Sequence, residues 1–125
     1  MTNERFERGL AVRREVLGAA YVDKSIGEAD DFTRPLQELV TEYCWGEVWT
    51  QPELPRKTRS LINLALLSTL NRPHEFKLHV RGALRNGCSK EEIRAVLLQV
   101  AIYAGVPAAV DAFRNAREII KEEGL

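Results

Sequence analysis

The chain has 125 residues, a length that fits one domain, residues 1–125, with a core that needs no disulfide or metal staple. Lysine plus arginine and aspartate plus glutamate each number 18, so the formal net charge is zero. Nothing electrostatic therefore favours nucleic acid or an anionic membrane as a partner.

In chain order, the N-terminus Met-Thr-Asn-Glu-Arg-Phe-Glu-Arg is charged and carries no apolar signal core. An amphipathic helix follows with Phe6, Leu10, Val16 and Leu17, stopping near Gly18. The spacing of Phe32, Leu36, Leu39, Val40 and Tyr43 predicts a second helix, capped by Asp30 or Asp31. It runs out in Trp45-Gly46-Glu47-Val48-Trp49, ahead of a proline-marked connector from Pro52 to Pro55. Pro55, Pro73 and Pro107 each precede a helical pattern, as proline does in a first turn. Ser89 with Glu92 is a capping box that opens the fifth helix just after a stop at Gly87. The sixth and last helix runs from about Pro107 toward Glu123. No strand, repeat or low-complexity segment interrupts this pattern, and the expected class is all-α.

The third and fifth helices are apolar on nearly every side. Leu61, Ile62, Leu64, Ala65, Leu66, Leu67 and Leu70 leave no polar stripe on one. Ile93, Ala95, Val96, Leu97, Leu98, Val100, Ala101 and Ile102 do nearly the same on the other. A helix apolar all round must be covered all round, and one small domain is short of cover for two. The expectation is a homo-oligomer whose subunits supply the rest. The run Leu61–Leu70 is broken by Asn63, Ser68 and Thr69 and is too short to span a bilayer. Cys44 and Cys88 form neither a CxxC pair nor a zinc spacing and are expected as reduced thiols in a soluble, cytoplasmic protein.

Both histidines, His74 and His79, fall between Asn71 and Gly87. On a helix from Pro73 to Arg85, Phe76, Val80, Ala83 and Leu84 form a core stripe, with His79 at its edge. Glu75 lies one turn earlier, placed to orient the imidazole and raise its pKa, and Gly82 one turn later leaves open space beside the ring. His74 sits in the first turn, where free N–H groups and the helix dipole favour an anion; with Asn71 and Arg72 it makes a carboxylate or phosphate cradle. Leu78, Arg81 and Arg85 occupy the opposite face, as a subunit contact or a second pocket wall. Trp45 and Trp49 either line a ligand site or seal a core or interface, and Glu47 between two indoles would be desolvated with a raised pKa. No metal-ligand set, glycine-rich phosphate loop or serine-nucleophile motif is present.

Five longer runs carry a more specific signal. They are Arg8-Gly-Leu-Ala-Val-Arg-Arg-Glu-Val-Leu-Gly, Asp30-Asp-Phe-Thr-Arg-Pro-Leu-Gln-Glu-Leu-Val-Thr-Glu-Tyr-Cys-Trp-Gly-Glu-Val-Trp, Arg56-Lys-Thr-Arg-Ser-Leu, Asn71-Arg-Pro-His-Glu-Phe-Lys-Leu-His-Val-Arg-Gly-Ala-Leu and Gln99-Val-Ala-Ile-Tyr-Ala-Gly-Val-Pro-Ala-Ala. Through them nearly the whole chain resembles the carboxymuconolactone decarboxylase family. The resemblance implies a six-helix alkylhydroperoxidase D-like subunit in a ring-like hexamer, a trimer being the other assembly to expect. It also implies cofactor-free loss of CO2 from a small dicarboxylic lactone, 4-carboxymuconolactone, to give 3-oxoadipate enol-lactone in protocatechuate (beta-ketoadipate) catabolism. Thiol-dependent relatives in the wider superfamily carry a C-x-x-C-x-x-H helix. With His79 as that histidine, the cysteine positions fall on Pro73 and Phe76, and the carboxylate of the preceding helix falls near Ser60 or Leu61. A thiol redox protein is therefore the lesser alternative, and would need Cys44 and Cys88 to meet; a non-catalytic helical oligomer is the other.

For the decarboxylase, the candidate catalytic residues are His79, Glu47 and His74. His79 delivers a proton or stabilises the oxyanion, and Glu47 is a proton relay. The candidate substrate-binding residues are Arg72, Asn71, Arg34, Trp45 and Trp49. Arg72 and His74 hold the acetate arm, Arg34 is a second anchor, and the two indoles sit beside the leaving carboxylate. Neither a metal nor an organic cofactor is expected.

Overall fold

Asn3 opens the first helix, α1 (Glu4–Leu17), its side chain accepting from the Phe6 N–H at 2.7 Å. The computed structural model describes residues 3–125 and is helical throughout, with seven α-helices, one π-helical segment and no strand among those residues. Two units emerge, one ending at Leu54 and one formed by Pro55–Leu125.

In the first unit, Gly18 (φ 96°) turns the chain directly into α2 (Ala19–Gly27). The sequence pattern does not predict α2, because Val22 is its only buried residue and one residue makes no stripe. Arg14 ties it to α1 through Asp23 at 2.7 Å. Neither aspartate proposed as a cap is the N-cap, which is Thr33 with no side-chain cap bond; Asp30 instead organises the turn before it. It accepts from the N–H groups of Phe32 (3.0 Å) and Thr33 (2.9 Å) ahead of α3 (Arg34–Leu39).

The chain then widens into a π-helix, Val40–Val48, where the Trp49 N–H reaches the Cys44 carbonyl at 2.9 Å. α1 crosses this segment closely. A Cβ on Gly9 would collide with the Thr41 carbonyl oxygen, and one on Gly46 with that of Arg5. Arg8 and Arg5 fasten the crossing through the Gly46 carbonyl (3.1 Å) and the Glu42 carboxylate (2.7 Å). The stripe expected on the second helix is not buried within this unit: Phe32 is 91 % exposed, and Leu36, Leu39 and Tyr43 are exposed as well.

In the second unit, α4 (Arg56–Thr69), α5 (Pro73–Arg85), α6 (Lys90–Tyr103) and α7 (Val106–Glu122) surround a core of Leu64, Phe76, Val80, Ile93, Leu97 and Ile119. α4 packs against all three others. Its buried residues Ser60, Leu64 and Ser68 form one line at four-residue spacing. Ile62, Leu66 and Leu70 form the opposite line, and these are exposed. α6 repeats the division, with Ile93, Leu97 and Val100 buried and Leu98, Ile102 and Tyr103 exposed. The all-round apolar character of both helices thus separates into a core face and an uncovered face.

Two tight turns set the position of α5. At the end of α4, Asn71 adopts φ 59°, while the N–H of Arg72 reaches the Leu67 carbonyl at 2.9 Å and that of Asn71 reaches Ser68 at 3.3 Å. This is a Schellman closure with asparagine in the left-handed position. At the end of α5, Gly87 (φ 90°) takes that position, with Cys88 N–H on Ala83 at 2.9 Å. The Ser89–Glu92 capping box then starts α6, both of its reciprocal bonds being present. No helix of the described residues is long and apolar enough to cross a membrane.

Candidate functional site

His79 lies on the inner side of α5 and is 9 % exposed. Its Nδ1 is 3.4 Å from the side-chain amide nitrogen of Asn63 on α4. With that amide donating, Nδ1 is the acceptor and the ring proton sits on Nε2. Burial pulls the imidazole pKa down from 6.5 to about 4, because the interior penalises the charged form. The spacing to Glu75 predicts the opposite shift. Glu75, one turn away on the same helix, is exposed to solvent, and desolvation of the buried ring prevails. Gly82, expected to border open space, is buried. His79 is therefore a neutral ring at physiological pH.

Asn63 is a candidate site residue that the sequence pattern hides. It reads as a polar interruption of an apolar helix, and only its distance to His79 gives it a role. Ser60, one turn earlier, accepts from the Asn86 amide at 2.8 Å and joins the same buried polar side of α4.

The start of α5 partly matches the expected cradle. Arg72 is the N-cap and Pro73 the first helical residue, and no side chain caps this end. The first-turn N–H groups of His74 and Glu75 thus have no helical acceptor. The Arg72 guanidinium folds back instead, its Nη1 donating to the carbonyls of Leu70 (3.0 Å) and Asn71 (3.2 Å). Asn71 contributes backbone shape, as the left-handed residue of the turn. Asn71 and Arg72 do line a common cavity of about 240 Å³, together with Ser68, Thr69, Phe76 and Asp111. His74 and His79 are not among its lining residues. On the opposite face, Arg81 is held by Glu122 of α7 at 2.6 Å, and Lys77 by Glu118 at 2.6 Å.

The remaining expected residues belong to the first unit. Trp45 and Trp49 are buried and stack on one another, centroids 4.6 Å apart and planes 28° from parallel. Glu47 is exposed rather than desolvated between them: residues four apart share a face of the helix, and the residue midway points away. It borders an open cleft with Arg5, Arg8 and Glu42. Arg34 donates to Asp31 (3.0 Å) and to the Ala29 carbonyl (3.1 Å) at the surface.

Both cysteines are free thiols, and burial pushes both thiols up, away from thiolate reactivity. No group of three or more histidine, cysteine or acidic side chains among the described residues is placed to hold a metal ion.

Comparison with known proteins adds an independent line. A family model described as the carboxymuconolactone decarboxylase family matches residues 34–118. A 4-carboxymuconolactone decarboxylase of Acinetobacter baylyi is 40 % identical over 122 residues, 98 % of this chain and 91 % of its own length. A nitrosuccinic acid decarboxylase of Metarhizium robertsii is 43 % identical over 117 residues, 94 % of this chain and 82 % of its own.

Proposed function

Because this chain belongs to the carboxymuconolactone decarboxylase family, we propose that it is a carboxy-lyase converting 4-carboxymuconolactone to 3-oxoadipate enol-lactone and CO2. The observation that carries this reading is the near full-length identity to a relative of that name. The step belongs to protocatechuate catabolism, and a cytoplasmic location is part of the same reading.

The chemistry places its electron sink in the substrate. When the bond to the departing carboxylate breaks, its electron pair moves through the ring double bond onto the lactone carbonyl oxygen, leaving a furan-type oxyanion. Protonation at the ring carbon next to that carbonyl then gives the enol-lactone. No bond in this sequence asks for an external cofactor. The protein has to hold two carboxylates, meet charge growing on one oxygen and supply one proton.

His79 is assigned to the growing oxyanion. A neutral imidazole, held in one tautomer by Asn63, donates a hydrogen bond without bringing a full charge into a buried site. A dianionic ligand beside it raises its pKa, so on binding substrate the ring can take up a proton from solvent and, as imidazolium, pass it to the ring carbon, returning to the neutral form. His74 and the first-turn N–H groups of α5, with Arg72, are assigned to the acetate arm. Glu47 and Arg34, both exposed in this chain, remain secondary assignments for the proton relay and a second anchor. The thiol alternative is disfavoured by Pro73 and Phe76 at the cysteine positions of the redox motif and by the raised pKa of both thiols.

A second substrate deserves the same assay. The compound named for the fungal relative, nitrosuccinic acid, is also a dicarboxylate, and its nitro group accepts the electron pair as a nitronate. Freshly generated 4-carboxymuconolactone and nitrosuccinate should be supplied in parallel, with CO2 and remaining substrate followed. Release from the lactone supports the first reading. Release from nitrosuccinate alone replaces it, and release from neither by folded protein overturns both.

The uncovered stripes on α4 and α6 support a homo-oligomer, the ring-like hexamer being the assembly proposed.

A further inference from the structure

The packing of the first unit leaves one charge unexplained. Arg13 is only 5 % exposed. Its Nη1 donates to Gln37 Oε1 (2.9 Å) and Thr41 Oγ1 (3.1 Å), and its buried Nε donates to nothing. Among the described residues no carboxylate pairs with this guanidinium. The groups whose fields reach it are the Tyr21 phenol and the Cys44 thiol, the latter pushed further toward its neutral form by burial. A buried cation held by neutral acceptors alone is a costly arrangement, which an anion brought from outside would relieve.

A cavity of about 210 Å³ lies beside it, lined by Gln37, Thr41, Phe6, Ile26, Arg34 and Glu38. Its polar lining is biased toward donors. Gln37 uses its oxygen to accept from Arg13 and keeps its amide N–H groups to give; Thr41 accepts through its oxygen and keeps its hydroxyl proton. Arg34 also lines it, its guanidinium already engaged with Asp31 and the Ala29 carbonyl, and Glu38 is exposed to solvent. We propose that this cavity binds a small organic carboxylate, which accepts from the Gln37 amide and serves as the counter-ion for Arg13. The first unit thereby has an anion site that shares only Arg34 with the residues assigned to decarboxylation.

Succinate is a suitable probe, with sodium chloride at matched ionic strength as the control. In thermal unfolding of the full chain, saturating succinate should raise the midpoint by roughly 4 °C or more, and chloride should not. Gln37→Glu plants a carboxylate against the guanidinium. That variant should melt higher than the parent without succinate and lose most of the succinate response. A Gln37→Glu protein that responds like the parent overturns the site, and so does a parent whose response chloride matches. Stabilisation that follows protein concentration rather than succinate assigns the counter-ion to a second copy of the chain, which also overturns a ligand site. Because the readout is binding and not CO2 release, failure here is separable from failure of the lyase reading.

Discussion

His79 links the stability of this protein to pH with a definite sign. Its folded pKa of about 4 lies below the ordinary 6.5, so between those values the unfolded chain takes up a proton that the folded chain refuses. The contribution is fully present above about pH 6.5 and is lost as pH falls toward 4. It totals about 3 kcal/mol, of which about 2 kcal/mol is gone at pH 5. Urea titrations at pH 7 and pH 5 on the parent and on His79→Gln isolate this contribution, since the carboxylates titrate in both proteins. Equal acid losses in the two would remove it. In catalysis, His79→Ala should lower kcat by about 10²–10⁴-fold while KM moves little. If the neutral ring is the working form in the free enzyme, the acid limb of kcat/KM falls near pH 4. A limb at pH 6.5 would show that the ring titrates as though exposed.

Among the elements, the two turns and the α1 crossing make the strongest demands on residue type. Asn71 holds a left-handed conformation that closes α4 and aims α5, so a β-branched residue there should cost roughly 1–2 kcal/mol, whereas Asn71→Gly should fold normally. Turnover settles the other half of the question: Asn71→Gly should retain activity if the residue acts only through the backbone. A stable but inactive Asn71→Gly would return its side chain to the substrate site. At the α1 crossing, Gly9→Ala or Gly46→Ala forces a methyl into backbone, and a destabilisation of about 1–3 kcal/mol is expected in denaturant unfolding. Sequence patterning made these elements unequally visible. Ser89 with Glu92 announced α6 because a capping box is local chemistry. α2 was silent because a helix with a single buried residue has no periodicity to read.

For the whole molecule, the question is what covers the apolar surface that one chain leaves open. Ile62, Leu66 and Leu70 on α4, and Leu98, Ile102 and Tyr103 on α6, are exposed, Ile102 by 80 %. Ile102→Glu places a charge on this surface without touching the core of the second unit, so folding should survive and assembly should not. Sedimentation should show an oligomer for the parent and smaller species for the variant. A monomeric parent at micromolar concentration would end the oligomer reading.

The sequence alone determined the helical class, the capping signals, the family resemblance and the absence of thiols from the redox positions beside His79. Each of these is a matter of residue identity and near-neighbour spacing. Only tertiary structure decided that burial lowers the His79 pKa, that Asn63 lies against its ring, that Asn71 takes the left-handed position closing α4 and that Arg13 is buried with no carboxylate partner among the described residues. The reason is physical: desolvation and long-range hydrogen bonding depend on which helices pack together. Glu75 is one turn from His79 in the chain, yet burial against the rest of the unit outweighs that proximity.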